Sequence, residues 1–400
     1  MKKVKVNGAV VRQEREKPAW TQEELSERSN LGVRTLRRLE AGQASLDTIR
    51  RVAEALELKP EETFCNELQG GASMEVRNAL RFDPLMVEFA SDLVCDDFPR
   101  RLIERIVSIR RHIAAELGFV VPGVRVRDLA SLPSGNYRLL VREVPVVSGQ
   151  VYPGHFLAIA PRQKLDKLEG VRCQDPTYGM PATWISPGLR PEAEAEACMI
   201  FDTVSVIATH LTRTIRFHAR QLLGIEDVSN LLEGLELPRL VAEVIPARVT
   251  LVTLRAVLQN LLGEDVSIRD LPLILETLAD HGTPQASVSD LTEAARTGLA
   301  QSISQAHANH DQKIMAIVLD PAWEKELQTD WEEHCQPLRE LLSQECQRQV
   351  VQGLQPLVVV APALRRPVRE LCANRSWAVL AYSEISERFG LERVATLSPR

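Results

Sequence analysis

The stretch Arg100-Arg-Leu-Ile-Glu-Arg-Ile-Val-Ser-Ile-Arg-Arg-His-Ile-Ala-Ala-Glu-Leu-Gly-Phe-Val-Val-Pro122 decides how most of the chain reads. Leu102, Ile103, Ile106, Ile109, Ile113 and Leu117 recur at helical spacing, so residues 100–117 form an amphipathic helix. Gly118 ends it as a C-cap. Downstream the period changes. Val120-Val121, Gly123 to Val126, Tyr137 to Val147 and His155 to Ile159 are strand-like runs punctuated by Pro and Gly. Helical patterning returns at residues 193–198, 203–223 and 228–235. Residues 236–310 read as consecutive helices broken by Pro238, Pro246 and Gly263. Lys313 to Leu319 and Pro356 to Ala361 read as strands. Between them runs a long helix, Trp323 to Gly353, with Pro337 as its break. No period of 20–50 residues repeats, so the body is mixed α+β and not a solenoid.

Upstream, residues 5–64 are helical in period and end at Glu67-Leu-Gln-Gly-Gly-Ala-Ser73. The Gly70-Gly71 pair among small polar residues reads as a linker. Within Trp20-Thr-Gln-Glu-Glu-Leu-Ser-Glu-Arg-Ser-Asn-Leu-Gly-Val-Arg-Thr-Leu-Arg-Arg-Leu-Glu-Ala-Gly42, Thr21 and Glu24 form a capping box. Asn30 suits a left-handed turn. Leu36 and Leu39 face inward on a second helix, while Val33, Arg34, Arg37 and Arg38 face outward. Leu46, Ile49, Val52, Ala53 and Leu56 supply a closing helix. This order resembles the Cro/C1-type helix-turn-helix family. The resemblance implies a second helix lying in the major groove of double-stranded DNA. The DNA-binding set is then Gln22, Val33, Arg34, Thr35, Arg37 and Arg38. Gln22 would touch phosphate, Arg34 and Arg37 would read bases or phosphates, and Arg38 would contact phosphate or pair with Glu40. The other reading is a helical bundle whose Arg face serves protein contacts.

The chain has 400 residues, 44% of them hydrophobic and 26% charged, which is globular composition for two or three domains. A net charge of −6 argues against a protein that coats nucleic acid, so any DNA contact is local. The seven cysteines never form C-x-x-C, which fits a reducing compartment without disulfides or zinc. Met-Lys-Lys-Val-Lys-Val lacks an apolar sequel, so no signal peptide is expected. No apolar run reaches spanning length, so the expectation is a cytoplasmic chain without membrane insertion.

A second set of blocks covers residues 81–400. They include Asp83-Pro-Leu, Arg105-Ile-Val-Ser-Ile-Arg-Arg, Leu117-Gly-Phe-Val-Val-Pro, Tyr137-Arg-Leu-Leu-Val, Tyr152-Pro-Gly-His, Asp175-Pro-Thr-Tyr-Gly, Ala208-Thr-His-Leu and Val266-Ser-Ile-Arg-Asp-Leu. In this order they resemble the cytoplasmic domain of the bacterial export-gate (FHIPEP) family of flagellar and virulence type III secretion. The resemblance implies a multidomain chain: an all-α helix-turn-helix domain (1–66), a linker (67–80) and a four-subdomain α+β domain (81–400). Subdomain one would be 81–153 plus 203–222, subdomain two 154–202, a helical subdomain three 223–302 and an α/β subdomain four 303–400. It also implies a ring of copies that docks export chaperones in a groove between subdomains one and two. The groove positions match Asp175, Tyr178 and Thr209, with Tyr178 where the family usually has Phe. Family members carry a membrane-spanning half before this domain; here the helix-turn-helix and linker stand in its place.

Taken alone, Asp175-Pro176 is an ordinary turn opener and Thr209 a helix residue that back-bonds its own turn. P-loop, G-x-S-x-G, H-E-x-x-H and G-x-G-x-x-G motifs do not occur. His307 and His310 read as solvated, and His210 and His218 as packing or groove residues. No enzyme, cofactor or metal is expected. The leading expectation is a cytoplasmic, homo-oligomeric DNA-binding regulator that docks a secretion component: a chaperone, cargo or the gate ring. The alternative is a soluble type III secretion accessory that co-assembles with the export gate and uses its helix-turn-helix for protein contacts only.

Overall fold

The computed structural model describes residues 4–5, 11–12, 15–17, 20–41, 43–56, 82–94, 97–283, 285–351, 354–372 and 377–399. It divides into two compact units, Met1–Phe82 and Asp83–Arg400. The expected linker at 67–80 and the helical period at 57–64 lie outside the described residues.

The first unit holds β1 (Val4–Lys5), α1 (Gln22–Ser29), α2 (Val33–Glu40), β2 (Gln43–Ala44) and α3 (Leu46–Ala55). Thr21 caps α1: the Glu24 amide donates to Thr21 Oγ1 at 3.2 Å, and the Thr21 amide donates to Glu24 Oε2 at 2.6 Å. Asn30 ends the helix at φ 52°, a conformation its short polar side chain tolerates. Leu25, Leu36, Leu39, Val52 and Ala53 close on Val11 in a small core. The unit is not purely helical, because β1 and β2 pair antiparallel, Val4 opposite Ala44. A two-residue ladder is too short to show alternation in sequence.

Three four-stranded sheets organise the second unit among the described residues. The first takes β3 (Leu85–Phe89), β4 (Val124–Asp128), β5 (Asn136–Val141) and β6 (Val144–Gln150), in the order β4-β3-β5-β6, with α4 (Phe98–Leu117) packed on it. The run Tyr137 to Val147 is therefore a hairpin and not one strand. Its turn, Arg142-Glu143, adopts φ 52° and 65° without the Gly or Asn that would announce it. Val120-Val121 is not a strand; the Val121 carbonyl accepts from Arg110 Nε at 3.0 Å.

The second sheet takes β7 (Phe156–Ile159), β8 (Val171–Gln174), β9 (Pro181–Ile185) and β10 (Met199–Asp202), all antiparallel. The short helices α5 (Arg162–Leu165) and α6 (Arg190–Ala195) cover it, and Ala158, Leu165, Leu168, Ile185 and Ala193 form its own core. The chain then returns along α7 (Thr203–Leu222), whose Ile207, Leu211 and Ile215 join the core of the first sheet.

Helices α8 (Ile225–Glu233), α9 (Pro238–Val244), α10 (Leu251–Gly263), α11 (Leu271–His281), α12 (Val288–Gly298) and α13 (Ala300–His307) follow. Pro238 starts α9, where a missing N–H costs nothing. The last sheet is wholly parallel, β13-β12-β11-β14, from β11 (Lys313–Leu319), β12 (Leu357–Val360), β13 (Ala378–Ala381) and β14 (Gly390–Leu397). The helices α14 (Pro321–Thr329), α15 (Trp331–Val351) and α16 (Pro362–Leu371) belong to it. The expected break at Pro337 falls instead at Asp330, φ −137° and ψ 76°, and Pro337 is carried inside α15.

Among the described residues no helix is long and apolar enough to cross a membrane.

Candidate docking groove

On α2, Arg34, Thr35, Arg37 and Arg38 are exposed and Val33 is half-buried. Gln22 is tied down: its Nε2 donates to Glu40 Oε2 at 2.6 Å, and its Oε1 accepts from Arg37 Nε at 3.2 Å. Glu40 also pairs with Arg15 at 2.9 Å and Arg12 at 3.6 Å. Gln22 and Arg37 thus link α1 to α2 while Arg37 stays exposed, and Glu40 takes Gln22, Arg15 and Arg12 as partners in place of Arg38.

Asp175 and Tyr178 lie in the β8–β9 turn and Thr209 on α7; the turn meets α7 through the Tyr178 ring and Arg213. Asp175 opens the β8–β9 turn and is buried. Its Oδ2 accepts from the Tyr178 amide at 2.6 Å, its carbonyl accepts from Gly179 N at 2.8 Å, and its own amide donates to the Met180 carbonyl at 2.8 Å. The carboxylate is therefore an internal clamp that shapes the turn. What the turn presents is Tyr178, 62% exposed, with the Arg213 guanidinium 4.9 Å from its ring centroid. Arg213 lies one helical turn beyond Thr209 on α7. Thr209 Oγ1 donates to the Ser205 carbonyl at 2.8 Å, and Thr212 to Ala208 at 2.8 Å, so both hydroxyls lie along their own helix. On its other flank α7 faces α4 across a groove lined by Arg105, Ser108 and His112 opposite Thr209 and Thr212.

Sequence reasoning did not find Arg105, His112 or Arg213. Arg213 stands at i+4 from Thr209, a spacing that puts both on adjoining helix surface. The α4 residues needed the tertiary pairing of two helices about 90 positions apart.

Beneath this surface Tyr137 and His210 are buried together, Tyr137 Oη 2.8 Å from His210 Nδ1. Burial lowers the His210 pKa below 6.5 against the opposing charge of Asp175, with Arg213 adding to the lowering, and burial raises that of Tyr137. The fold thus holds His210 neutral. The unfolded chain binds a proton there more readily, so this contribution is complete above pH 6.5 and is lost as pH falls towards the lower folded value. We expect urea stability to decline between pH 7 and 5.5, and the decline to shrink in His210→Gln. Tyr137→Phe should cost about 1–3 kcal/mol by leaving the imidazole nitrogen without its partner, read from the shift of the urea midpoint.

A family model described as the FHIPEP family matches residues 30–389. The flagellar biosynthesis protein FlhA of Yersinia enterocolitica is 38% identical over 295 residues, 71% of this chain and 43% of that protein. The chain spans less than half the length of the curated relatives it matches. Among solved structures, the Chlamydia pneumoniae CdsV and CdsO protein complex matches with a TM-score of 0.69 at 25% identity, over 80% of this chain and 98% of that one. The nonameric EPEC SctV-C shares the fold, with a TM-score of 0.64 at 18% identity over 79% of this chain and 98% of that one. These relatives overturn the expectation of a DNA-binding regulator: the curated matches are flagellar biosynthesis proteins.

Proposed function

We propose a function that starts from one fact: the chain belongs to the FHIPEP family. It is an accessory of type III protein export that acts by binding, without catalysis and on the cytoplasmic side, and it co-assembles with the export gate. The observation that carries this reading is Tyr178, an exposed aromatic ring on a turn clamped by buried Asp175 beside α7. A rigid exposed aromatic suits a protein interface, because little side-chain entropy is lost on binding. CdsV was solved with CdsO and SctV-C as a nonamer; both kinds of association are carried to this chain as part of the proposal. Residues 81–153 plus 203–222, 154–202, 223–302 and 303–400 are its subdomains. The N-terminal unit, α1 and α2 joined through Asn30, is a helix-turn-helix module of Cro/C1 likeness used for protein contacts.

The test mixes the purified full-length chain with the cytoplasmic domain of the gate protein from the same bacterium and weighs the products by native mass spectrometry. Mixed assemblies are expected; separate species at every mixing ratio would end the reading. Tyr178→Ala should leave assembly mass unchanged and weaken capture of an export chaperone by about tenfold or more, measured by calorimetry.

A further inference from the structure

Among the described residues, six strands end the three sheets of the second unit, and five of them are guarded. β4 carries Arg125 and Arg127, β6 Pro145, β8 Arg172, and β14 Glu392 and Arg393; charge and proline keep an edge from pairing further. β13 is buried at three of its four positions, with α16 packed on it. The sixth edge, β10, reads Met199-Ile-Phe-Asp and has no proline and no basic residue. Its one charge, Asp202, is turned inward: Oδ1 accepts from Ser205 N at 2.8 Å at the start of α7, and Oδ2 binds Arg101. β10 pairs with β7, Met199 opposite Ile159 and Phe201 opposite Leu157. In an antiparallel ladder every second residue turns its N–H and C=O away from the partner strand. Among the described residues, nothing but β7 bonds the backbone of Met199, Ile200 or Phe201. Met199 is 52% exposed. Ile200 packs toward the sheet's own core and Phe201 toward the core of the first sheet, yet both are only half-buried. Partial exposure on both faces is what an open flank leaves.

An unpaired ladder fits one kind of occupant, another extended strand, because only that presents donors and acceptors at the matching spacing. The charges nearest β10 are already paired, Glu196 with Lys167 at 2.8 Å and Asp202 with Arg101, so they offer little to a charged segment. The flexible thioether of Met199 adapts to different apolar side chains. We propose that β10 is a strand-addition site. An extended, uncharged segment of a partner protein pairs with Met199–Phe201 as a fifth strand of the second sheet, its side chains falling alternately beside Ile200 on one face and Phe201 on the other. β10 and β8 are opposite edges of that sheet, so the site is separate from the turn that carries Tyr178. It does not rest on the export reading, and the failure of either leaves the other standing.

The test uses the full-length chain and a fluorescein-labelled Thr-Val-Thr-Val-Thr-Val-Thr peptide, read by fluorescence anisotropy and by hydrogen exchange. Binding is expected, with slowed exchange over residues 198–203 and no change over residues 171–174. Two methylated peptides check the pairing. One N-methylated at alternate residues keeps a free bonding edge and should still bind; one N-methylated throughout has none and should bind about tenfold or more weaker. Met199→Lys gives β10 the kind of charge that guards the other edges and should weaken the unmethylated peptide by about tenfold or more. Val171→Lys, on β8, should leave it unchanged. Circular dichroism checks that both variants are folded, and the exchange result on the unaltered protein stands without them. No binding, equal binding of the two methylated peptides, protection away from residues 198–203, or an equal loss in Val171→Lys would each overturn the inference. So would a dimer of the chain alone, seen by light scattering, that Met199→Lys dissociates, because a second copy would then hold the edge.

Discussion

Arg365→Ala is expected to cost the second unit about 3–5 kcal/mol, the loss seen when one partner of a buried ion network is deleted. Arg365 is 2% exposed and sits on α16 of the parallel-sheet region. It reaches into the helical region, donating to Glu293 Oε2 at 2.5 Å and Glu264 Oε2 at 2.7 Å. Arg296, 1% exposed, sits beside it and binds Glu384 at 2.6 Å and Glu264 at 3.2 Å. Glu384 ties the cluster to its own turn by accepting from the Ala381 amide at 3.1 Å. Deleting Arg365 leaves Glu264 and Glu293 with less compensation and a gap where the 2%-exposed guanidinium was packed. The two carboxylates are 19% and 32% exposed, which sets the loss towards the lower end of that range. The neighbour Arg366 is the control. It is exposed and pairs with Glu370 at 2.9 Å, one turn along the same helix, so Arg366→Ala should cost less than about 0.5 kcal/mol. The acid limb follows from the same cluster. Burial raises the Glu264 carboxyl, but Arg296, Arg365 and Arg369 outweigh it and hold the pKa below 4.5. The stabilisation is complete above pH 4.5 and is lost as pH falls through the lower folded value. Chemical denaturation of wild type, Arg365→Ala and Arg366→Ala at pH 7 and pH 4 measures both effects. Equal costs for the two arginines would remove the network as a stabilising element.

That network was invisible in the sequence, because its members come from four separate elements and each charge looks solvated where it stands. The same reason hid β3. Leu85-Met-Val-Glu-Phe is buried at all five positions, so it shows no alternation, and its Glu88 argues against a core strand. The neighbours answer the charge: Glu88 lies opposite Arg127 on β4 and Arg138 on β5 and binds both. Local signals fared better. The Thr21–Glu24 capping box, left-handed Asn30, the Gly118 cap and the bounds of β11 were all readable because a few consecutive residues decide each. Arg34 and Arg38 show the limit of that approach. Their exposure on α2 was readable, but exposed arginines on a short helix carry no statement of what they meet. The relatives, and not the local pattern, corrected the DNA assignment. Asp175, Tyr178 and Thr209 were singled out only through likeness to a family. That Asp175 is buried and clamps its turn while Tyr178 is exposed required coordinates.

Gly118→Ala should damage the second unit severely, with an expected loss of at least about 3 kcal/mol. Two independent penalties meet there. Gly118 ends α4 at φ 80°, where an L side chain is strained. An added Cβ would also lie 2.4 Å from both N and Cα of Arg269 and 2.8 Å from the Ile268 carbonyl carbon, and backbone cannot step aside as a side-chain tip can. The segment it would displace satisfies the end of α4. Ser267 Oγ donates to the Glu116 carbonyl at 2.7 Å, Ile268 N to Leu117 at 2.9 Å and Arg269 Nη1 to Ala115 at 3.2 Å. A methyl at 118 therefore trades a filled seam between the first sheet's helix and the helical region for several unmet carbonyls. Gly123→Ala is the matched control. It lies five residues on, its φ is not left-handed, and nothing stands within 4 Å of the added carbon, so it should be neutral within about 0.5 kcal/mol or slightly stabilising. Thermal melts of the two variants separate the cases, and limited proteolysis reads the seam directly. New cleavage between residues 263 and 271 in Gly118→Ala, absent in Gly123→Ala, is expected. A Gly118→Ala protein that melts with wild type would mean that α4 and residues 267–269 are not in contact as described. The placement of the docking groove's α4 wall, which depends on how α4 is anchored, would then have to be redrawn.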